Sequence, residues 1–410
     1  MTRSCSDANQ TGRHSPGTSR FPIPPDNSGR NPRTKQMTIP LKIVAANDTV
    51  GALLALADAL AGRQAVFVTG PEVNGKMPET HGLPNEVDDN LALIVESSGS
   101  TGAPKRIRLS RQALLASAQA ADSVLGGPGQ WLLALPINYI AGSNVLIRSL
   151  VAEQQPVLMN TQLPFTPDAF ARAASLMKGE RRYVSLVPVQ LQRLIAAATF
   201  DEYLLARLRR FDAILVGGQA VDASVVEKAR DLGLKIVRSY GSAETAGGCV
   251  YDGLPLPGVA LQIDQGGHVQ ISGPTLAEGM ADEAGWYTTN DFGHLDPTSG
   301  RLTVTGRSNR VIISGGLKVS LDRIEEAVRG IGGVVEAAAI AVRDKEWGER
   351  AAVVYVGSPE VADYIAADAL SRLGFAAKPV RVIRVDSLPR LSSGKTDYMT
   401  LAGQFNENAK

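Results

Sequence analysis

Hydroxyl residues, glycines and a lysine stand together at Ser97-Ser98-Gly99-Ser100-Thr101-Gly102-Ala103-Pro104-Lys105. Glycines let backbone N–H groups come close to a polyphosphate, and hydroxyls and a lysine add donors and positive charge. The stretch lacks the Gly-x-x-x-x-Gly-Lys-Ser/Thr order of a P-loop and the Gly-x-Gly-x-x-Gly of a dinucleotide turn. A flexible Ser/Gly linker is the competing reading. The apolar run Leu91–Val95 before it and the helix-like run Arg111–Leu125 after it favour a strand–loop–helix unit over a linker.

Four later segments could join it. In Tyr240-Gly241-Ser242-Ala243-Glu244-Thr245 a carboxylate beside hydroxyls suits Mg²⁺ shared with phosphate oxygens, although the same pattern caps helices. In Trp286-Tyr287-Thr288-Thr289-Asn290-Asp291 the aspartate can accept two hydrogen bonds from a ribose diol, or simply occupy a turn. Gly306-Arg307 leads to Ser314-Gly315-Gly316-Leu317-Lys318-Val319, which also reads as a surface hairpin. Leu388-Pro389-Arg390-Leu391-Ser392-Ser393-Gly394-Lys395 puts a lysine on a short glycine turn, where a solvated charge is the ordinary case.

Composition narrows the field. With 410 residues, 44% hydrophobic and 20% charged, the chain can build two or three globular domains. A net charge of +1 gives no reason to expect nucleic acid or an anionic membrane surface, and no apolar run approaches a membrane span. Cys5 and Cys249 form no disulfide framework and suit a reducing, cytoplasmic setting. His14, His81, His268 and His294 lack metal-ligand spacing. Residues 1–36 are rich in Ser, Pro, Asn, Gly and Arg; Arg3, Arg13, Arg20, Arg30, Arg33 and Lys35 face only Asp7 and Asp26. They read as a disordered, dispensable tail, with Met37 opening the folded protein.

From about residue 50, helical and extended patterns alternate. Helices are expected near 49–60, 111–125, 140–152, 170–177, 189–197 and 225–232. Buried strands are expected at 65–68, 91–95, 131–136, 155–159, 183–187, 213–216 and 235–237, with 71–90 as a loop. The expected class is α/β: a large N-terminal domain of helix-covered, mostly parallel sheets over 37–308. It includes a small β subdomain at about 258–306. A small mobile α+β domain over 309–410 follows, hinged near Asn309. Ligands of such sheets bind beyond the carboxyl ends of the strands, where the segments at 97–105, 217–219 and 240–245 fall.

Each motif alone is weak, but their joint order resembles the adenylate-forming superfamily of acyl-CoA ligases, acyl-adenylating domains and luciferases, over roughly residues 40–400. Within it, Arg182–Leu191, Gly217-Gly218-Gln219-Ala220-Val221 and Glu244–Gly253 look like the short o-succinylbenzoate–CoA ligases of menaquinone biosynthesis in actinobacteria. The resemblance implies an AMP-forming acid–thiol ligase using ATP, Mg²⁺ and coenzyme A. Ser97, Ser98, Gly99, Ser100, Thr101, Gly102 and Lys105 would surround the β- and γ-phosphates. Gly217, Gly218 and Gln219 would line the adenine and acyl pocket, with Tyr240, Gly241 and Ser242 beside the nucleotide. Glu244 would ligate Mg²⁺, and Thr245 would contact the α-phosphate region. Asp291 and Arg307 would hold the ribose, and Lys395 would reach the α-phosphate and acyl carboxylate. Asn138, Tyr139, Gly142, Ser185, Gly248 and Cys249 would form the acyl pocket, and Gly315, Gly316 and Lys318 the loop used in thioester formation.

Three positions depart from the family pattern. Asn138 and Tyr139 stand where relatives often carry histidine, Ser308-Asn309 replaces an acidic hinge, and Tyr398 replaces a basic residue. They leave open another aromatic or dicarboxylic acid, and an ATP-binding pseudoenzyme. The implied partners are a small-molecule carboxylic acid, ATP and coenzyme A, with no nucleic acid or membrane; a homodimer fits this picture.

Overall fold

A computed structural model describes residues 37–97, 105–391 and 394–407. Expectations for the tail 1–36 and for residues 98–104 therefore lie outside the described residues. The first sheet holds β1 (Thr38–Ala45), β2 (Ala65–Thr69), β3 (Glu86–Asp88), β4 (Leu91–Ser97) and β5 (Lys105–Ser110), in the order β3-β1-β2-β4-β5. Its centre is parallel and both edges are antiparallel. The second sheet holds β6 (Gln130–Leu133), β7 (Val157–Leu158), β8 (Arg182–Leu186), β9 (Ala213–Gly217), β10 (Ile236–Ser242), β11 (Gly247–Tyr251) and β12 (Leu254–Pro255), ordered β12-β11-β10-β9-β8-β6-β7. Strands β7, β6, β8, β9 and β10 run parallel; β11 returns antiparallel to β10, and β12 antiparallel to β11.

Strand alternation explains the layers. Trp131, Leu133, Tyr183 and Leu215 face a core shared with the first sheet and with α1 (Thr49–Leu60), α2 (Arg111–Leu125) and α3 (Ile140–Val151). Their neighbours Leu132, Val184, Leu186, Ile214 and Val216 face α4 (Pro167–Ser175), α5 (Pro188–Ala198), α6 (Glu202–Leu208) and α7 (Ala223–Asp231). Local signals start these helices: Ser110 caps α2 by accepting from the Ala113 N–H at 3.1 Å, and Pro167 and Pro188 open α4 and α5.

A third, antiparallel sheet follows: β13 (Ala260–Ile263), β14 (His268–Ser272), β15 (Tyr287–Leu295) and β16 (Leu302–Arg307). Val269, Ile271 and Leu302 pack into the first core, so this sheet is an appendage with no core of its own. The fourth sheet is separate: β17 (Val311–Ser314), β18 (Leu317–Ser320), β19 (Val334–Asp344), β20 (Gly348–Gly357) and β21 (Arg381–Arg384). One face packs on α8 (Leu321–Arg329) and α9 (Ala362–Leu373), the other on Leu388 and α10 (Tyr398–Glu407).

The sequence expectation fails at one functional place. The 97–105 segment does not join a strand to a helix. Ser97 pairs with Lys105 across an antiparallel β4–β5 hairpin, and α2 begins only after β5. The alternating exposure of Lys105–Ser110 marks β5 as a half-buried edge strand, a pattern easily absorbed into the helix that follows. The polar 71–90 stretch likewise contains β3, an antiparallel edge strand beside β1.

Candidate active site

The parallel strands of the second sheet end on one side, and site residues gather there. β9 ends at Gly217 and continues into Gly218 and Gln219; β10 ends at Tyr240-Gly241-Ser242. At Gly241 a Cβ would lie 2.1 Å from the Gly247 carbonyl oxygen, so only glycine lets β10 and β11 meet there. The turn Ala243–Thr245 then presents Glu244, whose side chain is 15% exposed and lies 3.8 Å from the Lys105 ammonium. The Glu244 carbonyl accepts from the Ala277 N–H at 2.9 Å, which fixes its backbone.

The third sheet supplies a second group. Asp291 and Arg307 are cross-strand partners on β15 and β16. Arg307 Nε lies 3.0 Å from Asp291 Oδ1, and the Tyr240 hydroxyl donates to Oδ2 at 2.8 Å. Burial, and then the Asp291 charge, push the Tyr240 hydroxyl far above its ordinary range, so it stays a neutral donor. Tyr287 belongs to the same neighbourhood: burial, with Glu244 and Asp291 nearby, pushes its hydroxyl up to about 12. Nothing in the Trp286–Asp291 motif itself marks Tyr287 as a neighbour of Glu244 and Asp291.

Lys395 completes the cluster from the C-terminal body. A short hairpin carries it: the Leu391 N–H donates to the Lys395 carbonyl at 2.9 Å, and Arg390 donates to the Gly394 carbonyl at 3.0 Å. Arg390 also pairs with Glu336 of β19 at 2.7 Å, which ties the hairpin to the fourth sheet. The side chain lies over Gly218, where a Cβ would meet Lys395 Cε at 3.4 Å and Val187 Cγ1 at 3.8 Å. Gly394 meets the same Val187 from the other side, its own Cβ position lying 3.3 Å from Cγ2. Burial holds the Lys395 amine below the usual lysine range; Arg307 pushes the same way, while Glu244 and Asp291 oppose them. Val187 thus lies between the two glycines beside the lysine, a place that its position at an apolar strand end concealed.

Other expected residues fall in different places. Thr245 is fully buried; its hydroxyl accepts from the Ser242 N–H at 2.9 Å and donates to the Gly247 carbonyl at 2.8 Å. It closes its own turn, its hydroxyl shared between the Ser242 N–H and the Gly247 carbonyl. Cys249 is also fully buried, its thiol pushed by burial up to about 11. It belongs to the core around β11. Gly142 is buried in the first turn of α3, where a Cβ would lie 2.2 Å from the Pro136 carbonyl oxygen. Its role is close packing. Asn138 and Tyr139 are partly exposed just ahead of α3, Ser185 is 9% exposed on β8, and Gly248 is half-buried beside Ser239. Gly315 and Gly316 form the β17–β18 turn with φ of +56° and +82°; Gly315 packs on the Trp347 ring, Gly316 faces open space, and Lys318 is exposed on β18.

Asn309 is exposed between two anchors. The Arg307 N–H donates to Asp322 at 2.8 Å. Arg310 bonds Asp322 and Glu325, donates to the Ala339 carbonyl at 3.1 Å and stacks on Tyr398 at 3.9 Å. Tyr398 also donates to Glu325 at 3.0 Å, so the departure from a basic residue is a partly buried structural contact.

Among the described residues, no three His, Cys, Asp or Glu side chains cluster as metal ligands. Glu244 nevertheless fits Mg²⁺, which beside a polyphosphate uses one or two carboxylates and takes its remaining ligands from phosphate and water. A carboxylate that already has a cation, Lys105, against it suits that task.

Comparison with known proteins agrees with this geometry. Residues 35–279 match the AMP-binding enzyme family and 323–395 the AMP-binding enzyme C-terminal domain. The chain belongs to the AMP-binding enzyme family. In this AMP-binding enzyme the two matches divide near the Asn309 segment. It is 37% identical over 378 residues to a probable 2-succinylbenzoate–CoA ligase of Mycobacterium tuberculosis, covering 89% of this chain and 98% of the relative. It is 29% identical over 323 residues to the 2-succinylbenzoate–CoA ligase of Escherichia coli, covering 74% and 66%. Its fold matches an Escherichia coli MenE variant with bound OSB-AMS at TM-score 0.71 and 24% identity, over 90% and 88% of the two chains. It also matches o-succinylbenzoate CoA synthetase of Bacillus subtilis in complex with OSB-AMP at TM-score 0.68 and 22% identity, over 88% and 87%. No helix among the described residues is long and apolar enough to cross a membrane.

Proposed function

We propose that this enzyme activates o-succinylbenzoate with ATP and passes the acyl group to coenzyme A. The seating of the Lys395 amine over Gly218, amid Glu244, Asp291 and Arg307, carries this reading. A substrate carboxylate oxygen attacks the α-phosphorus of ATP, and pyrophosphate leaves. Two anions must approach, so the task is charge neutralisation and alignment, with no acid or base required. Lys395 supplies a positive charge between carboxylate and α-phosphate. Asp291 accepts from the ribose hydroxyls while Arg307 and Tyr240 hold it in place. On this reading Lys105, beside Glu244, lies on the side of the β- and γ-phosphates, with Gly217 and Gln219 beside the base and acyl group. Glu244 would hold Mg²⁺, which when bound neutralises phosphate oxygens.

In the second step the coenzyme A thiolate attacks the acyl carbonyl and AMP leaves. The body 309–410 turns about Asn309, withdraws Lys395 and presents Gly315, Gly316 and Lys318 to the pantetheine arm. The reading places the enzyme in the cytoplasm, as a homodimer whose mass sedimentation will give.

Pyrophosphate release and acyl-CoA mass, measured over a panel of acids, test the proposal. Turnover of o-succinylbenzoate well above all others supports it; release with no acid, or none at all, refutes it. A second reading, another aromatic or dicarboxylic acid, rests on Asn138 and Tyr139 ahead of α3. It wins if a different acid heads the panel.

A further inference from the structure

Two buried side chains from different helices donate to one carbonyl oxygen just past Glu244. Asn144 Nδ2 of α3 reaches the Ala246 oxygen at 2.9 Å, and Ser117 Oγ of α2 reaches it at 3.0 Å. Asn144 and Ser117 are 3% and 1% exposed, and Ala246 is fully buried. The carbonyl has two lone pairs, and this arrangement uses both.

The location gives the clamp meaning. The link from β10 to β11 is only Ala243–Ala246, and Ala246 adopts φ +51°, a left-handed conformation unfavourable for alanine. Thr245 closes the first half of this link, and the clamp holds the second. Gly247 completes the fit, since a Cβ there would lie 2.2 Å from Asn144 Nδ2. Glu244 is therefore pinned on both sides, by Ala277 at its own carbonyl and by α2 and α3 two residues later.

Resting on the assignment of Glu244 above, we infer that Asn144 and Ser117 are positioning residues: they set the direction of the Glu244 carboxylate through the Ala246 carbonyl. Neither touches substrate. Without them the Ala246 carbonyl is buried without a partner, and the left-handed turn relaxes to satisfy it.

The test is calorimetric titration of the full chain with ATP, with and without Mg²⁺, so that neither the acid nor turnover enters. The readout is the factor by which Mg²⁺ tightens ATP. Asn144→Ala is expected to reduce that factor at least fivefold, Ser117→Ala about threefold, and Gly247→Ala, which displaces Asn144 by contact, in the same direction. Ser149→Ala removes a buried hydroxyl from the same helix that bonds only Val145, and keeps the factor. Melting temperatures are recorded in parallel. If Asn144→Ala does not fold, Ser117→Ala and Gly247→Ala decide. Variants that melt lower but keep the Mg²⁺ factor within twofold of the parent overturn the inference and leave the Glu244 assignment standing. A parent protein whose ATP affinity ignores Mg²⁺ overturns that assignment, and the inference with it.

Discussion

Removing the Lys395 amine should separate the two half-reactions. The side chain lies over Gly218, and burial holds the amine below the usual lysine range. A unit charge about 4 Å from a phosphoryl oxygen, at an effective dielectric near 20, gains about 4 kcal/mol. At about 1.36 kcal/mol per decade, that is roughly 10³ in rate. Lys395→Ala is therefore expected to slow pyrophosphate–ATP exchange by roughly 10²–10³-fold. Supplied with preformed acyl-adenylate and coenzyme A, the same variant should make thioester within a fewfold of the parent rate. Equal losses in both assays, or an exchange rate reduced less than tenfold, would refute the reasoning. The pH profile gives a second check. The free enzyme's Lys395 deprotonates below the ordinary lysine value, so kcat/KM for ATP should fall on the alkaline side before pH 10.5, and Lys395→Arg should move that limb upward. The stability sign also follows: between the lowered folded value and the unfolded one the unfolded chain binds more protons, so this lysine makes unfolding harder as pH rises.

Three further outcomes are expected. Tyr240→Phe deletes a 2.8 Å hydrogen bond to Asp291 and should raise KM for ATP several-fold while lowering stability by about 1 kcal/mol, read by steady-state kinetics and urea melts. Gly218→Ala places a methyl group 3.4 Å from Lys395 Cε at φ +81°; exchange should fall more than thioester formation, with about 1 kcal/mol lost from the strained backbone. Alkylation at pH 8 followed by peptide mass mapping should leave Cys249 unmodified until denaturant is added, because its buried thiol ionises only near 11.

Elements with strong local patterns were legible in the chain. The helix 111–125 and the strands at 65–69, 182–186 and 213–217 carry apolar periodicity and caps or glycine stops, and they stand within a residue or so of their expected places. β1, β5 and α6 were not expected. β5 alternates only weakly and runs straight into the Ser110 cap of α2. Asp291, Arg307, Glu244 and Lys395 stand out in the sequence because glycines and aromatics punctuate their motifs, and the fold brings the four together. For Thr245, Cys249 and Gly142 residue type does not reveal direction: a hydroxyl that closes its own turn reads like one that meets a ligand. Val187, Asn144 and Ser117 were missed because each is an ordinary strand-end or helix-interior residue. Their meaning lies in partners 31 to 207 positions away, as Gly218 and Gly394 for Val187 and Ala246 for the other two make clear.

The seat of Lys395 is divided between bodies: Val187 and Gly218 lie on one, and Gly394 with its hairpin on the other. Neither half can evolve alone. Enlarging residue 187 would need slack at both glycines, whereas trimming it would open a gap between them. Swapping the terminal hundred residues between related enzymes should therefore succeed only when the bulk opposite each glycine is matched, making a single valine the gatekeeper of modular exchange.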